Sequence, residues 1–314
     1  MQPQGIKLRE IIWEVTGACK NGCSYCGSKE CWNEVIDEDR IKLIVNAISL
    51  YPPTAIDISG GDPLLVSLDT HRYIKEMLKD KAGVMIKVLV NPKSLYTHDN
   101  DKKEIFYGDN VLKILDLYDW IGLSINTEEE LKQCCCSIVP SWLKKCTVIT
   151  NFNLSNIFLY SAIEEFIKNN NLSWQIQMTM YKAENSEALY SSEHAIELLS
   201  LLIQKSLKEG VKVIPADNIN GGSCGAGTSC IGILSSGIVV PCLSMRSWKS
   251  GDEFEKATRG NILDYGLEAI WENSFDDYRF KPFKCCKDYS GNVDCLQKVI
   301  KEKPIVCMYL VSIA

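Results

Sequence analysis

Residues Ile11-Ile12-Trp13-Glu14-Val15 lead into Cys19-Lys20-Asn21-Gly22-Cys23-Ser24-Tyr25-Cys26, and this stretch decides the fold. The first five form an apolar run of strand length. The loop after them gathers three thiols at C-x3-C-x2-C spacing. A [4Fe–4S] cube is normally held by four Cys. Three in one loop can wrap three corners and leave one iron open to a substrate, as catalytic zinc sites leave one position open. Spacing alone also fits a structural zinc knuckle that lacks its fourth ligand. The context decides between them.

Downstream, a second short strand pattern, Ala55-Ile56-Asp57-Ile58, runs straight into Ser59-Gly60-Gly61-Asp62-Pro63. Here the chain resembles the radical S-adenosylmethionine (SAM) superfamily, whose signature is C-x3-C-x-aromatic-C followed by a Gly-Gly-Glu-type motif after the second strand. Asp62 stands where Glu is commoner, and both are carboxylate acceptors. The resemblance implies that Cys19, Cys23 and Cys26 hold a [4Fe–4S] cluster whose free iron binds SAM. It also implies that the Gly60 and Gly61 carbonyls, with Asp62, meet the methionine ammonium. The competing reading of Gly60-Gly61 is a tight turn. Asn91, Ser124, Asn126 and Asn153 follow later strands, where the resemblance places SAM or substrate contacts. Asn126 replaces the usual Asp of a Ser-x-Asp pattern, and a helix-cap role competes for each of the four. Trp13 and Tyr25 are expected to pack around the cluster and shield it from water, which tunes its potential.

After the Cys loop, strand and helix patterns alternate. Asp37 fits the N-cap of a helix whose Ile41, Ile44, Val45 and Ile48 fall on one face, stopped by Pro52-Pro53. Further helices are expected over 67–81 with Gly83 as C-cap, near 111–117, over 155–168 with Ser155 as cap, and over 193–209 before Gly210. Strands are expected at 84–90, 120–125, 146–150 and 173–180. Such alternation argues for an α/β fold, a parallel sheet with outer helices. The resemblance implies a partial (β/α)6 TIM-type barrel. Chemistry in such folds gathers at the carboxyl ends of strands, where the Cys loop and Gly60-Gly61 lie. A boundary near residue 211 would separate a radical SAM core (1–210) from a small β-hairpin and helix iron–sulfur domain (211–314).

That second region carries Cys224, Cys230 and Cys242 around a turn at Ser235-Ser236-Gly237, then Gly260-Asn261-Ile262 and Ile270-Trp271. It resembles the SPASM or shorter twitch extension of radical SAM enzymes, which implies at least one auxiliary [4Fe–4S] cluster. Cys285, Cys286, Cys295 and Cys307 come after at spacings unlike the usual C-x2-C-x5-C-x3-C. The reading is one auxiliary cluster on Cys224, Cys230, Cys242 and Cys295, with Cys286 the rival fourth ligand and a second cluster left open. The bland alternative is a zinc ribbon or buried thiols. Cys31, Cys146 and the Cys134-Cys135-Cys136 triplet read as small buried hydrophobes, and Cys307 as core. His71, His98 and His194 lack metal spacing and are expected at the surface.

Composition bounds the rest. The chain has 314 residues, 46% hydrophobic and 24% charged, with net charge −6 and scattered basic residues. That gives no footprint for nonspecific nucleic-acid binding. Neither a signal-peptide layout nor an apolar run of about 20 residues appears, so no membrane span is expected. Fifteen Cys without an export signal point to metal ligation in a cytoplasmic setting rather than disulfides.

Taken together, the resemblance implies reductive SAM cleavage to a 5′-deoxyadenosyl radical that abstracts a substrate hydrogen atom. Crosslinking, epimerisation or dehydrogenation of a ribosomally made peptide is the first reading. A dehydrogenase or epimerase acting on a small metabolite, sugar or nucleotide is the alternative. Flavodoxin or ferredoxin would donate the electron. The chain begins almost at strand one, so leader recognition would need a separate protein or the barrel. A noncatalytic iron–sulfur carrier or redox sensor is the reading from another class; Gly60-Gly61-Asp62 argues against it, since a carrier needs no SAM site.

Overall fold

The computed structural model describes residues 6–23, 26, 28–99, 104–136, 142, 144–178, 193–215, 225–248 and 251–279. Tyr25, Cys224, Cys286 and Cys295 lie outside them, as do Cys285, Cys307 and the side chains of His98, Cys135 and Cys136.

Eleven strands are described: β1 (Glu10–Thr16), β2 (Ala55–Gly60), β3 (Met85–Val90), β4 (Tyr96–Asp99), β5 (Glu104–Tyr107), β6 (Trp120–Ser124), β7 (Cys146–Phe152), β8 (Ser173–Met178), β9 (Lys212–Pro215), β10 (Cys230–Ile233) and β11 (Val239–Val240). Nine form one sheet in the order β11-β10-β1-β2-β3-β6-β7-β8-β9. Seven of these, β1 to β3 and β6 to β9, run parallel in chain order. β10 adds parallel to β1 at the other edge, and β11 closes an antiparallel hairpin on it. This is the expected α/β architecture, with β9 and the C-terminal hairpin at its two ends. The small antiparallel β4–β5 ladder was not expected.

The sheet's two faces differ. Ile11, Trp13 and Val15 of β1, Ile56 and Ile58 of β2, and Ile86, Val88 and Val90 of β3 join Ile41, Ile44, Val45 and Ile48 in one core. These are alternate positions, as a pleated strand requires, so the apolar face is the helix-covered one. Trp13 therefore belongs to the helix-side core, fully buried, and does not shield the Cys loop as expected from sequence. The opposite face carries Glu10, Glu14, Asp57, Lys87, Asn151, Gln175 and Gln177. Such a polar interior suits a barrel that binds polar ligands.

Helix Glu38–Leu50 starts as expected, the Asp37 carboxylate accepting from the Arg40 amide at 2.9 Å. Ser67 caps Leu68–Ile74, accepting from the Thr70 amide at 3.2 Å. That helix then widens to π geometry over Lys75–Lys81, where the Lys75 ammonium bridges to Asp80 one wide turn later. Gly83 comes next with φ +71°, its amide bonded to the Lys79 carbonyl.

Two further expectations fail. Ser155 does not cap a helix; its amide and hydroxyl both donate to Asn153 Oδ1, and a short 3-10 turn, Ile157–Leu159, precedes helix Tyr160–Asn170. The Asx turn at Asn153 out-competes the cap. His71 is not at the surface but fully buried. Its Nε2–H donates to the Pro63 carbonyl at 3.0 Å, which leaves Nδ1 to accept from the Tyr118 hydroxyl at 2.6 Å. His194 is exposed, and Cys134 and Cys146 are buried, as expected.

Candidate functional site

The Cys loop leaves the carboxyl end of β1 and is laid directly on Gly60-Gly61. The Gly61 amide donates to the Thr16 carbonyl at 2.7 Å and the Asp62 amide to the Ala18 carbonyl at 2.8 Å. A Cβ on Gly61 would sit 2.2 Å from the Ala18 oxygen and 2.4 Å from that of Gly17. Gly60 has φ +129° and its Cβ would meet the Thr16 oxygen at 2.4 Å. The paired glycines are thus required by close approach of two backbones as well as by a turn.

Inside the loop, backbone amides point at sulfur. The Asn21 amide reaches Cys19 Sγ at 3.4 Å and the Ser28 amide reaches Cys26 Sγ at 3.3 Å. Cys19, Cys23 and Cys26 are each half-buried, and none of the three is in a disulfide. Burial pushes the Cys19 thiol up, against the Asn21 amide, and the Asp62 and Cys26 charges push the same way. Thiolates gathered here therefore need a cationic partner, as a metal centre supplies. Among the described residues no three Cys, His, Asp or Glu converge on one metal ion. A cube takes one thiolate at each ligated iron, so three thiols from one loop can hold three of its four corners.

Asp62 anchors this end. It is buried; Oδ1 accepts from the Leu64 amide at 3.1 Å and Oδ2 from the Ser94 hydroxyl at 2.6 Å. Burial raises its pKa, opposed by those bonds. The Asn21 side-chain amide reaches Ser94 Oγ at 3.1 Å, which ties the Cys loop to Asp62 through one hydroxyl.

The strand-end asparagines form a second cluster. Sheet register sets Val90 beside Leu123, Ser124 beside Ile149 and Ile149 beside Gln175. Asn91 and Ser124 therefore stand at one level of the rim. Glu130 organises them: Oε1 accepts from Asn91 Nδ2 at 2.7 Å, and Oε2 from the Asn126 and Thr127 amides at 2.7 and 3.0 Å. Thr127 Oγ1 accepts in turn from the Glu130 amide, completing a capping box for helix Glu128–Cys136. Asn126 Nδ2 donates to Ser124 Oγ at 2.8 Å, while its Oδ1 accepts from the Asn151 amide at 2.6 Å. Asn153, in its Asx turn, joins the cluster through Asn156: its amide donates to Asn156 Oδ1 at 2.8 Å, and Asn156 Nδ2 donates to the Asn126 carbonyl at 3.0 Å. On the inner face of β7 and β8, Asn151 Oδ1 and Gln175 Oε1 are buried without a hydrogen-bond partner among the described residues.

Cys230 opens β10 and Cys242 lies just past β11, both buried. The turn between the strands is the expected one, Gly237 having φ +88°. Sequence reasoning passed over Glu14, Ser28, Glu34, Ser94, Glu130 and Arg246. Only Glu130 had a local signal, the Thr-x-x-Glu pattern from Thr127. The others act through contacts distant in sequence, such as Arg246 with Glu14.

Residues 224–295 match the SPASM family, an iron–sulfur cluster-binding domain. No curated protein matches the chain by sequence. Among solved structures, SuiB from Streptococcus suis bound to S-adenosylmethionine superposes with a TM-score of 0.60 at 13% identity, over 95% of this chain and 75% of that one. SuiB bound to the precursor peptide SuiA gives 0.59 at 12%, over 96% and 75%. Native anSMEcpe with bound AdoMet and the Cp18Cys peptide gives 0.61 at 14%, over 92% and 88%. No helix of the described residues is long and apolar enough to cross a membrane. The chain thus shares its fold with SuiB and anSMEcpe, and its residues 224–295 match an iron–sulfur cluster-binding domain.

Proposed function

We propose that this chain is a radical SAM enzyme that modifies a ribosomally made peptide. The observation that carries the reading is the Cys19/Cys23/Cys26 loop docked on Gly60-Gly61 at the carboxyl end of a parallel sheet. Cys19, Cys23 and Cys26 would hold a [4Fe–4S] cluster, leaving one iron for SAM. When bound, the pair supplies one-electron cleavage of SAM to methionine and a 5′-deoxyadenosyl radical, which takes a hydrogen atom from substrate.

The chain's own part is placement. The Gly60 and Gly61 carbonyls, with Asp62, would receive the methionine ammonium, and Asn91, Ser124, Asn126 and Asn153 would order the rim around SAM. Asn151 Oδ1 and Gln175 Oε1, unpartnered on the inner face among the described residues, would accept from donor groups of the substrate. A peptide is favoured because SuiB and anSMEcpe are solved proteins with the similar fold, and both are seen with peptides. Cys224, Cys230, Cys242 and Cys295 would hold one auxiliary cluster; the SPASM match begins at Cys224 and ends at Cys295. The core and extension would divide near residue 211. A flavodoxin or ferredoxin would deliver the electron in the cytoplasm.

Iron and sulfide analysis after anaerobic reconstitution tests this. About eight iron in the wild type, falling to about four when Cys19, Cys23 and Cys26 are replaced by Ala, is the expected result. Zinc without iron would overturn it.

A further inference from the structure

Both ends of the Cys loop are held by carboxylates, and each carboxylate is held in turn by the C-terminal segment. Gly17 lies two residues before Cys19, and Ser28 two after Cys26. The Gly17 amide donates to Glu34 Oε2 at 2.9 Å, and the same oxygen accepts from the Ser235 hydroxyl of the β10–β11 turn at 2.9 Å. At the other end, the Ser28 hydroxyl donates to Glu14 Oε2 at 3.2 Å. Arg246 Nη1 donates to Glu14 Oε1 and Oε2 at 2.8 and 2.7 Å and lies 3.2 Å from Ser28 Oγ. Arg246 stands four residues after Cys242.

We propose that Arg246 is a positioning residue that, with Ser235, clamps the Cys19/Cys23/Cys26 loop to the C-terminal hairpin through Glu14 and Glu34. This rests on the reading of those three Cys as cluster ligands. A surface ion pair contributes little, but the Arg246 and Glu14 side chains are 12% and 4% exposed. A buried carboxylate that loses its partner is strongly disfavoured, so Glu14 keeps Arg246 in place. Gly17 leaves no slack at the other end: a Cβ there would lie 2.2 Å from Glu34 Oε2 and 2.6 Å from Cys31 Cβ. The loop's geometry is thereby coupled to that of the β10–β11 hairpin and the Met245–Trp248 helix after it, the segment in which Cys230 and Cys242 lie. A change at the auxiliary site has a direct mechanical route to the loop.

The test uses the full chain as wild type, Arg246→Lys, Arg246→Met and Ser235→Ala. Hydrogen exchange of the metal-free protein is read over residues 17–34, and the EPR spectrum and iron-loss rate of the loop cluster after anaerobic reconstitution. Arg246→Met should raise loop exchange about tenfold, the scale of one charge-assisted hydrogen bond, while β6 to β8 stay protected. It should also shift the EPR signal and speed iron loss, with Arg246→Lys partly restoring both. Wild-type loop exchange and spectrum in Arg246→Met would overturn the proposal. If Arg246→Met raises exchange everywhere, Ser235→Ala decides instead: faster exchange confined to the loop supports the clamp, and wild-type exchange there overturns it. A wild type that loads no iron on these Cys defeats the cluster reading, and loop exchange still decides the clamp.

Discussion

The two ends of the sheet's polar face answer buried charge in different ways. Toward the amino ends of the strands, side chains answer side chains. The Lys87 ammonium pairs with Glu10 and lies 3.0 Å from Asp57 Oδ1, all three on adjacent strands and nearly inaccessible to water. At the carboxyl ends one such pair, Glu14 with Arg246, stands among carboxylates that loop backbone answers. Asp62 takes the Leu64 amide, Glu34 the Gly17 amide, and Glu130 the Asn126 and Thr127 amides. The first arrangement locks strand register, while the second shapes loops. Damage at the amino end should therefore cost the fold, and damage at the carboxyl end the site.

The largest effect tests the first half. Lys87→Met leaves two buried carboxylates without a cation and should cost about 3–5 kcal/mol of stability, seen as a lower urea midpoint. Adding Glu10→Gln and Asp57→Asn should recover most of it, because the uncompensated charge is then gone. An unchanged midpoint in the single variant would mean the triad does not hold the register.

Next comes pH, where the two ends carry opposite signs. Burial and the Asp57 charge push Glu10 up to about 7, against the pull of Lys87. Its folded pKa is above its ordinary value of 4.5, so its contribution is present at low pH and is lost as pH rises through about 7. His71, beneath the carboxyl end at Pro63, is lowered by burial from 6.5 to about 4. Its contribution is present above pH 6.5 and lost as pH falls toward 4, by about 3 kcal/mol in all. Protonation would turn Nδ1 from acceptor to donor against the Tyr118 hydroxyl. His71→Gln, which keeps polar groups without titrating, should flatten the acid limb of urea midpoint against pH and leave the alkaline limb alone. An acid limb that persists in this variant would assign it to another group.

Gly61→Ala addresses the carboxyl end. The new methyl would collide with backbone oxygens of Gly17 and Ala18, which cannot swing aside as a side-chain tip can. A cost of about 1–3 kcal/mol is expected, smaller than that of Lys87→Met. Iron loading on the Cys loop should nevertheless fall more sharply than in that variant. If loading survives, the close approach is not what shapes the loop.

The same contrast governs what could be read from sequence. Strand and helix positions were legible because periodicity and caps are local: Asp37 and Ser67 begin their helices as expected, and Gly237 makes its turn. The three Cys and Gly60-Gly61 were legible as motifs. What escaped was set by tertiary contact. His71 reads as a surface residue until Tyr118, 47 residues away, supplies its partner. Trp13 reads as a cluster shield until strand alternation assigns it to the helix side. Ser155 fits a cap, yet Asn153 two residues earlier binds it first. Arg246 and Glu14 are 232 residues apart, and no pattern links them.

The smallest effect is expected at Asn126, where the comparison can be sharpened most. Its Oδ1 already holds the Asn151 amide and its Nδ2 the Ser124 hydroxyl oxygen. Asn126→Asp keeps an oxygen for the amide, and Ser124 can reverse its hydroxyl to donate. The added charge sits near Glu130, which the Asn126 and Thr127 amides and Asn91 already satisfy. Both side chains are buried, Asn126 2% and Glu130 1% exposed, which favours the neutral acid. In urea unfolding near pH 4, where that form costs little, the expected loss is below about 1 kcal/mol. Metal-loaded protein titrated with SAM then separates two roles for this side chain. Unchanged SAM affinity would make Asn126 a brace between β6 and β7, a loop-shaping group of the kind that dominates this end. A change of tenfold or more, with stability held, would instead place Asn126 against the ligand itself. The brace would then be a by-product of a binding residue's need to be held still.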